Sequence, residues 1–274
     1  MVQVLGFEVE AINSVQFCCH TGYSAVQGQV LGASDLIALF DGLKKNGLHT
    51  DYSYVLTGYV SSLSFMQALY DLIHELKSLN PDLVYVCDPV MGDDGKMYVP
   101  EELLPFYRDK MISLADVLTP NQFEAELLTG IPILNEDTAF QALDALHDKG
   151  VPIVVLSSAR LPPSSENITV IASKVGSDSC KERFRCEIEQ MDAKFTGTGD
   201  LTAALLLAWL HRTNRDLPLA LSKTMSAVQA VLKRTMKHAT AAQHGLTPRN
   251  LELKLVQSKA ELESPQHLVT CVRI

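Results

Sequence analysis

Residues 195–210, FTGTGDLTAALLLAWL, set two glycines and a threonine ahead of a strongly apolar helical pattern. Glycine permits left-handed backbone and the close approach of another group. The unpaired N–H groups that open such a helix attract anions. The amides of Gly197, Thr198 and Gly199 are therefore candidates for an anion hole, the device that steadies charge on a transferring phosphoryl group. Asp200 stands in the same mouth. It reads either as an ordinary helix cap or as a base that takes the proton of an attacking hydroxyl.

Further polar residues follow apolar runs with the character of buried strands. Asp88 and Asp93 bracket the stretch DPVMGD, Thr119, Asn121 and Glu124 fall in TPNQFE, and Ser157 and Ser158 close IVVLSS. Asn121 and Glu124 have the spacing of a capping box. The same pair suits a water–metal–phosphate network, where hard oxygen ligands favour Mg²⁺. Asp88 either satisfies loop amides or sits near a metal, and Asp93 is either a turn residue or a metal ligand. Thr21, with the aromatic residues Phe17, Tyr23 and Tyr59, suits a flat polar heteroaromatic ring; for Phe17 a place in the core is an equal alternative.

These clusters need a scaffold that brings them to one edge. Strand-like runs at 53–57, 83–87, 115–118 and 153–157 alternate with helical patterns at 34–46, 62–79, 121–129 and 136–149. Residues 7–12 (FEVEAI) alternate apolar with acidic, which predicts a half-exposed strand, and Ser34 is placed to cap the first helix. Residues 168–172 and 183–190 read as a strand pair, followed by the glycine turn, a long helix near 216–241 and a last strand at 267–273. The alternation predicts an α/β domain over 1–274, with a mainly parallel central sheet covered by helices on both faces. In such sheets ligands bind beyond the carboxyl ends of the strands, where the polar clusters fall.

Several classes are excluded or disfavoured. The formal net charge of −9 over 274 residues argues against nucleic acid or an anionic membrane as partner. The longest apolar run, Leu201–Leu210, is too short to cross a bilayer. The six cysteines form no CxxC pair, and they read as reduced thiols of a cytosolic protein. The Walker phosphate-loop pattern is absent. A dinucleotide fingerprint would need a glycine where Thr202 stands and an acid near Leu219 and Ala220.

The stretches NSVQF, HTGY, YVLTGY, LVYVCDPVMGD, MYVPEELLP, TPNQFEAELLTG, GTGDLTAALLLAW and LELKLVQSK together resemble the animal-type pyridoxal kinases of the ribokinase-like superfamily. The resemblance runs over essentially the whole chain. It implies a ribokinase-like three-layer sandwich and ATP-dependent phosphorylation of the 5′-hydroxymethyl group of pyridoxal, pyridoxamine or pyridoxine. Asp200 would be the general base beside the Gly197–Gly199 anion hole. Thr21, Phe17 and Tyr59 would hold the pyridine ring, and Asp93 would serve Mg²⁺, with Zn²⁺ as an alternative divalent ion. Asn121 and Glu124 would serve the Mg-ATP network, and Asp88, Thr119 and Ser157 a K⁺ or Na⁺ ion. Ser158 and Met191-Asp192-Ala193 would line the ATP groove under a lid carrying Tyr98. A cytosolic homodimer is implied as well.

Against the family pattern, a strand and glycine-containing loop ahead of VLGFEVEAINSV are missing, and the loop between Asp93 and Tyr98 is short. That predicts an intact ATP half and a weakened pyridoxal half. Two alternatives accompany the kinase reading. One is a kinase for another hydroxymethyl heterocycle, such as a pyrimidine. The other is a catalytically weak or inactive nucleotide-binding isoform that pairs with a full-length partner.

Overall fold

The computed structural model describes residues 1–162, 167–176 and 180–274. A 3-10 turn at Val2–Leu5 precedes a small antiparallel hairpin of β1 (Val15–Phe17) and β2 (Gly28–Val30). Next come α1 (Ala33–Lys45), β3 (Tyr54–Thr57), α2 (Leu63–Leu79) and β4 (Val84–Cys87). A second small hairpin, β5 (Gly92–Asp93) and β6 (Lys96–Met97), leads to α3 (Leu103–Asp109), β7 (Val117–Leu118), α4 (Gln122–Thr129) and α5 (Glu136–His147). The second half holds β8 (Ile153–Ala159), β9 (Asn167–Val175), β10 (Lys181–Glu189), α6 (Thr198–Arg212), α7 (Leu217–Ala241), α8 (Lys259–Glu263) and β11 (Cys271–Arg273).

Seven strands form one sheet in the order β11-β10-β9-β8-β7-β4-β3. The residues of β4 show how it is covered. All four are buried, Tyr85 and Cys87 in a core built with α2–α5, Val84 and Val86 in a second core built with α6 and α7. Strand period 2 sends alternate side chains to opposite faces, so a continuous apolar run demands a helical layer on each side. The three-layer α/β architecture expected from the sequence is the one observed.

Pairing is parallel from β3 through β4 and β7 to β8, and antiparallel from β8 through β9 and β10 to β11. The sheet is thus mixed, with the parallel order confined to one half. The short link from β8 to β9 leaves no room for a crossover helix, which needs about a dozen residues or more, so the chain must turn back on itself.

Four local expectations need correction. Residues 7–12 form no strand: the segment passes beside β3 without joining the sheet, with the Phe7 ring edge-on to Tyr54 and Glu10 bonded to the Tyr52 hydroxyl. β3 is the outermost strand on that side, and covering by a loop is one way to protect such an edge. Ser34 does not cap α1. The cap is Gly32, whose N–H donates to the Asp35 carboxylate at 2.8 Å. The strands expected at 115–118 and 267–273 begin later, at Val117 and Cys271.

Candidate active site

The parallel strands end at a common edge, and the residues that follow them meet there. Asp88 follows β4 and Thr119 follows β7. The Thr119 hydroxyl donates to Asp88 Oδ1 at 3.0 Å. Asp88 is only 5% exposed. Burial, then the nearby Glu124 charge, push its carboxyl well above the usual range, with the Thr119 hydrogen bond opposing the rise and the Asp200 charge adding to it. Among the described residues no loop amide donates to the Asp88 carboxyl; its hydrogen-bond partner is the Thr119 hydroxyl.

Asn121 caps α4, and its Oδ1 accepts the Glu124 N–H at 2.9 Å while Glu124 Oε2 accepts the Asn121 N–H at 3.0 Å. The capping box is therefore real. It is not the whole role of the pair. Glu124 Oε1 also accepts the Met91 N–H at 2.9 Å, and Asn121 Nδ2 donates to the Gly92 carbonyl at 2.7 Å. The two side chains clamp the β5–β6 hairpin onto the helix start. Burial lifts the Glu124 pKa to about 7, against the pull of the N–H donors of Asn121, Met91 and Gly92.

That hairpin turns through Asp94 (φ 50) and Gly95 (φ 75), both left-handed as a tight two-residue turn requires. Asp93 Oδ1 accepts the Asp94 N–H at 2.9 Å, so Asp93 serves the turn while remaining partly accessible. Arg160, just after β8, pairs with Asp94 at 3.0 Å, and its N–H donates to Gln122 Oε1. Tyr98 follows β6, 48% exposed, with its N–H on the Met91 carbonyl. Ser157 is tied by its N–H and its hydroxyl to the Pro120 carbonyl, at 2.8 and 3.2 Å.

The glycine turn supplies the last wall. Gly197 is the N-cap of α6 with φ 86, and no side chain caps the helix. Asp200, in the first turn, makes no hydrogen bond or ion pair among the described residues. It is reached by solvent, yet the protein mass around it raises its pKa above the ordinary carboxylate value. A Cβ built on Gly58, the residue after β3, would lie 3.6 Å from Asp200 Oδ1, and one on Gly199 would lie 3.8 Å from Asp88 Oδ2. The structure so brings together Gly58, Asp88, Thr119, Gly199 and Asp200. The turn itself is a constraint. Gly197→Ala has room for its methyl, with contacts of 3.8 Å and beyond, but must hold a positive φ. We expect it to lose about 1–2 kcal/mol of stability and to lower turnover, read by denaturant unfolding and steady-state rates; an unchanged midpoint would refute the strain.

The β1–β2 hairpin approaches the same turn. A Cβ on Gly22 would lie 3.1 Å from Thr196 Oγ1, and the Tyr23 hydroxyl donates to Glu252 at 2.6 Å. Thr21, immediately before them in the chain, is exposed. Phe17 is half-buried and packs into neither core, whereas Tyr59 packs on the first, its carbonyl accepting from Ser14 Oγ at 2.8 Å. Met191 lies against the second core and Asp192 is exposed, with the Ala193 N–H on the Met191 carbonyl. No hydrogen bond among the described residues ties Ser158 or Asp192 to the carboxylate cluster. Gly58, Glu252 and the Asp94–Arg160 pair were not singled out from sequence. Gly58 closes an apolar run, the one local signal it carried.

The site residues include four carboxylates, from Asp88, Asp93, Glu124 and Asp200, and their donors are all oxygens. Among the described residues no group of three or more His, Cys, Asp or Glu side chains is arranged to hold a metal by itself.

The family model described as "Phosphomethylpyrimidine kinase" matches residues 47–250. Nearly the whole chain is similar to proteins named pyridoxal kinase. Identity is 49% with that of Ovis aries and 47% with that of Homo sapiens, each match covering 98% of this chain and 90% of the relative. The chain belongs to the pyridoxal kinase family. Identity with the Arabidopsis thaliana pyridoxal kinase is 44%, over 97% of this chain and 85% of that one. In three dimensions, pyridoxal kinase from Leishmania donovani in complex with ADP matches with a TM-score of 0.92 at 30% identity, covering 99% of this chain and 91% of that one. The same enzyme in complex with ADP and pyridoxamine matches with a TM-score of 0.91. Membership makes the chain a phosphotransferase of ribokinase-like fold, as the sequence motifs implied.

Proposed function

We propose that this chain, acting as one kinase domain over residues 1–274, transfers the γ-phosphoryl group of ATP to the 5′-hydroxymethyl group of pyridoxal, pyridoxamine or pyridoxine. The observation that carries the mechanism is Asp200: a carboxylate of raised pKa, free of capping duty, beside the amides of a helix start. Asp200 accepts the proton of the 5′-hydroxyl as its oxygen attacks phosphorus, and the N–H groups of Gly197, Thr198 and Gly199 stabilise the charge on the phosphoryl oxygens. Gly58 leaves the approach to Asp200 open.

An anionic nucleotide entering a carboxylate-rich site needs a counter-cation. The oxygen donors suit Mg²⁺, which keeps several waters and phosphate oxygens in its shell, better than Zn²⁺. Asp93 and the Asn121–Glu124 network would hold it through water; when bound it neutralises phosphate charge. Asp88, Thr119 and Ser157 are the residues for a K⁺ or Na⁺ ion, the supporting feature being the buried Asp88 carboxyl, whose ionised form burial disfavours and a cation would restore. Ser158, Met191, Asp192 and Ala193 line the adenine side in this reading, and Tyr98 on its hairpin covers the nucleotide. Thr21, Phe17 and Tyr59 hold the pyridine ring; Phe17 is available for stacking because neither core uses it. The reading extends to a homodimer in the cytosol. No described helix is long and apolar enough to cross a membrane.

The name of the matching family model favours one rival acceptor, a hydroxymethylpyrimidine. A panel of the three B6 vitamers and that pyrimidine, assayed with Mg-ATP and potassium, separates the two. We expect product from the vitamers and little from the pyrimidine. Turnover of the pyrimidine alone would overturn the assignment, and a folded, ATP-binding chain that turns over none of them would favour a non-catalytic nucleotide-binding role.

A further inference from the structure

The β1–β2 hairpin carries two adjacent cysteines that the kinase chemistry does not use. Cys18 follows Phe17, is exposed, and its Sγ lies 3.6 Å from Sγ of Cys19. The Gln27 N–H points at Cys18 Sγ from 3.4 Å, while Cys19 Sγ lies 3.5 Å from the Ala25 carbonyl as a donor. Cys18 is thus the sulfur that receives hydrogen bonds and Cys19 a sulfur that donates one. The Gln27 N–H, then the Cys19 thiol, hold the Cys18 thiol below its usual pKa; partial burial holds Cys19 above its own. An accessible thiol with thiolate character beside a second thiol is the pattern of a reactive, resolvable site. Cys87 and Cys186 are buried, and Cys271 sits opposite Cys186 across β10 and β11.

We propose that Cys18 and Cys19 form a reversible thiol–disulfide switch on this hairpin, reacting with low-molecular-weight disulfides and thereby governing entry of the acceptor alcohol. The Cys18 thiolate attacks one sulfur of the disulfide. The reagent's S–S bond breaks, a mixed disulfide forms on Cys18, and one thiolate leaves and takes up a proton. The Cys19 thiolate, its proton passed to solvent, then attacks the Cys18 sulfur and expels the second thiol. Two protein thiols are oxidised and one small disulfide is reduced to two thiols. Adjacent Cα atoms are ~3.8 Å apart, closer than the ~4.4–6.8 Å that a disulfide prefers. The ring closed across one peptide bond is therefore strained and easily reopened by a thiol reductant.

The consequence for the acceptor follows from position. The oxidised pair adjoins Phe17, and the same loop touches Thr196 and Glu252 through Gly22 and Tyr23. This part rests on the proposed acceptor site; the thiol chemistry does not.

The test treats the reduced full chain with glutathione disulfide and reads intact mass, peptide maps, released glutathione and kinetics. Modification should map to Cys18, with two glutathiones released per protein oxidised. In Cys19→Ser the mixed disulfide on Cys18 should persist with one released, and in Cys18→Ser the hairpin should stay unmodified with untreated kinetics unchanged. Oxidation should lower kcat/KM for the acceptor by about 10- to 100-fold through displaced positioning, leave the KM for ATP unchanged, and reverse with dithiothreitol. Modification confined to Cys180, or release from Cys19→Ser equal to that from the parent, would overturn the switch. An oxidised hairpin with unaltered acceptor kinetics would overturn its control of entry. Mass and thiol release remain readable in a chain without kinase activity, so failure of the kinase reading is told apart from failure of the switch.

Discussion

Replacing Asp200 by Asn is expected to lower kcat by about 100- to 10,000-fold, the usual share of a general base. Asn keeps the shape of the side chain and removes its ability to take a proton. ATP binding should survive, because the helix-start amides are backbone groups. Stability should not fall. Folding raises the Asp200 pKa, so above that pKa the ionised carboxylate opposes folding, and its neutral replacement removes the penalty. The unmodified chain should lose kcat/KM as pH falls through the pKa of Asp200, an acid limb above the ordinary aspartate range. Steady-state rates across pH, with a thermal melt of each variant, check these outcomes. A variant that keeps even a tenth of the parental kcat would remove Asp200 from the chemistry.

Glu124→Ala should be the more damaging change to structure. Glu124 is 4% exposed, and its carboxylate takes the N–H groups of Asn121, Met91 and, at 3.4 Å, Gly92. Alanine leaves these donors without an acceptor. Each buried orphan costs about 1–3 kcal/mol. Relief of a buried carboxylate with a pKa of about 7 offsets part of that. A net loss of about 2–4 kcal/mol is expected. The β5–β6 hairpin loses its clamp on α4, and with it Asp93 and Tyr98 lose their placement, so the KM for ATP should rise about tenfold or more. Glu124→Gln keeps one acceptor oxygen and should fall between parent and alanine. Denaturant unfolding and ATP kinetics measure both effects; an alanine variant with the parental midpoint and parental KM would show that the clamp does neither job.

Much of the fold was legible because it rests on local patterns. Apolar runs ended by Asp, Thr or Gly marked β3, β4 and β7. The spans of α2 and α5 followed from helical patterns, and Asn121 with Glu124 announced a capping box. Residues 7–12 were misread because alternation describes one strand alone. A strand exists only when a neighbour accepts its hydrogen bonds, and here the sheet ends at β3. Ser34 was misread for a similar reason: the chain turns at Gly32, and Asp35 answers its N–H first.

The sequence was enough for the main sheet strands β3, β4, β7 and β8, for most of the long helices, and for the polar residues that follow the strands, since these depend on neighbours a few positions away. Tertiary structure alone decided who meets whom. Glu124 reaches Met91 across 33 positions and Thr119 reaches Asp88 across 31, and Gly58 comes to lie against Asp200. The same packing removes one of the two readings that spacing had left open at the glycine turn, the helix cap. Local rules allowed Asp200 to be a cap or a base. Only in the assembled sheet edge does its carboxylate stand without a capping bond, desolvated by the protein around it and facing the mouth of a helix that attracts phosphate.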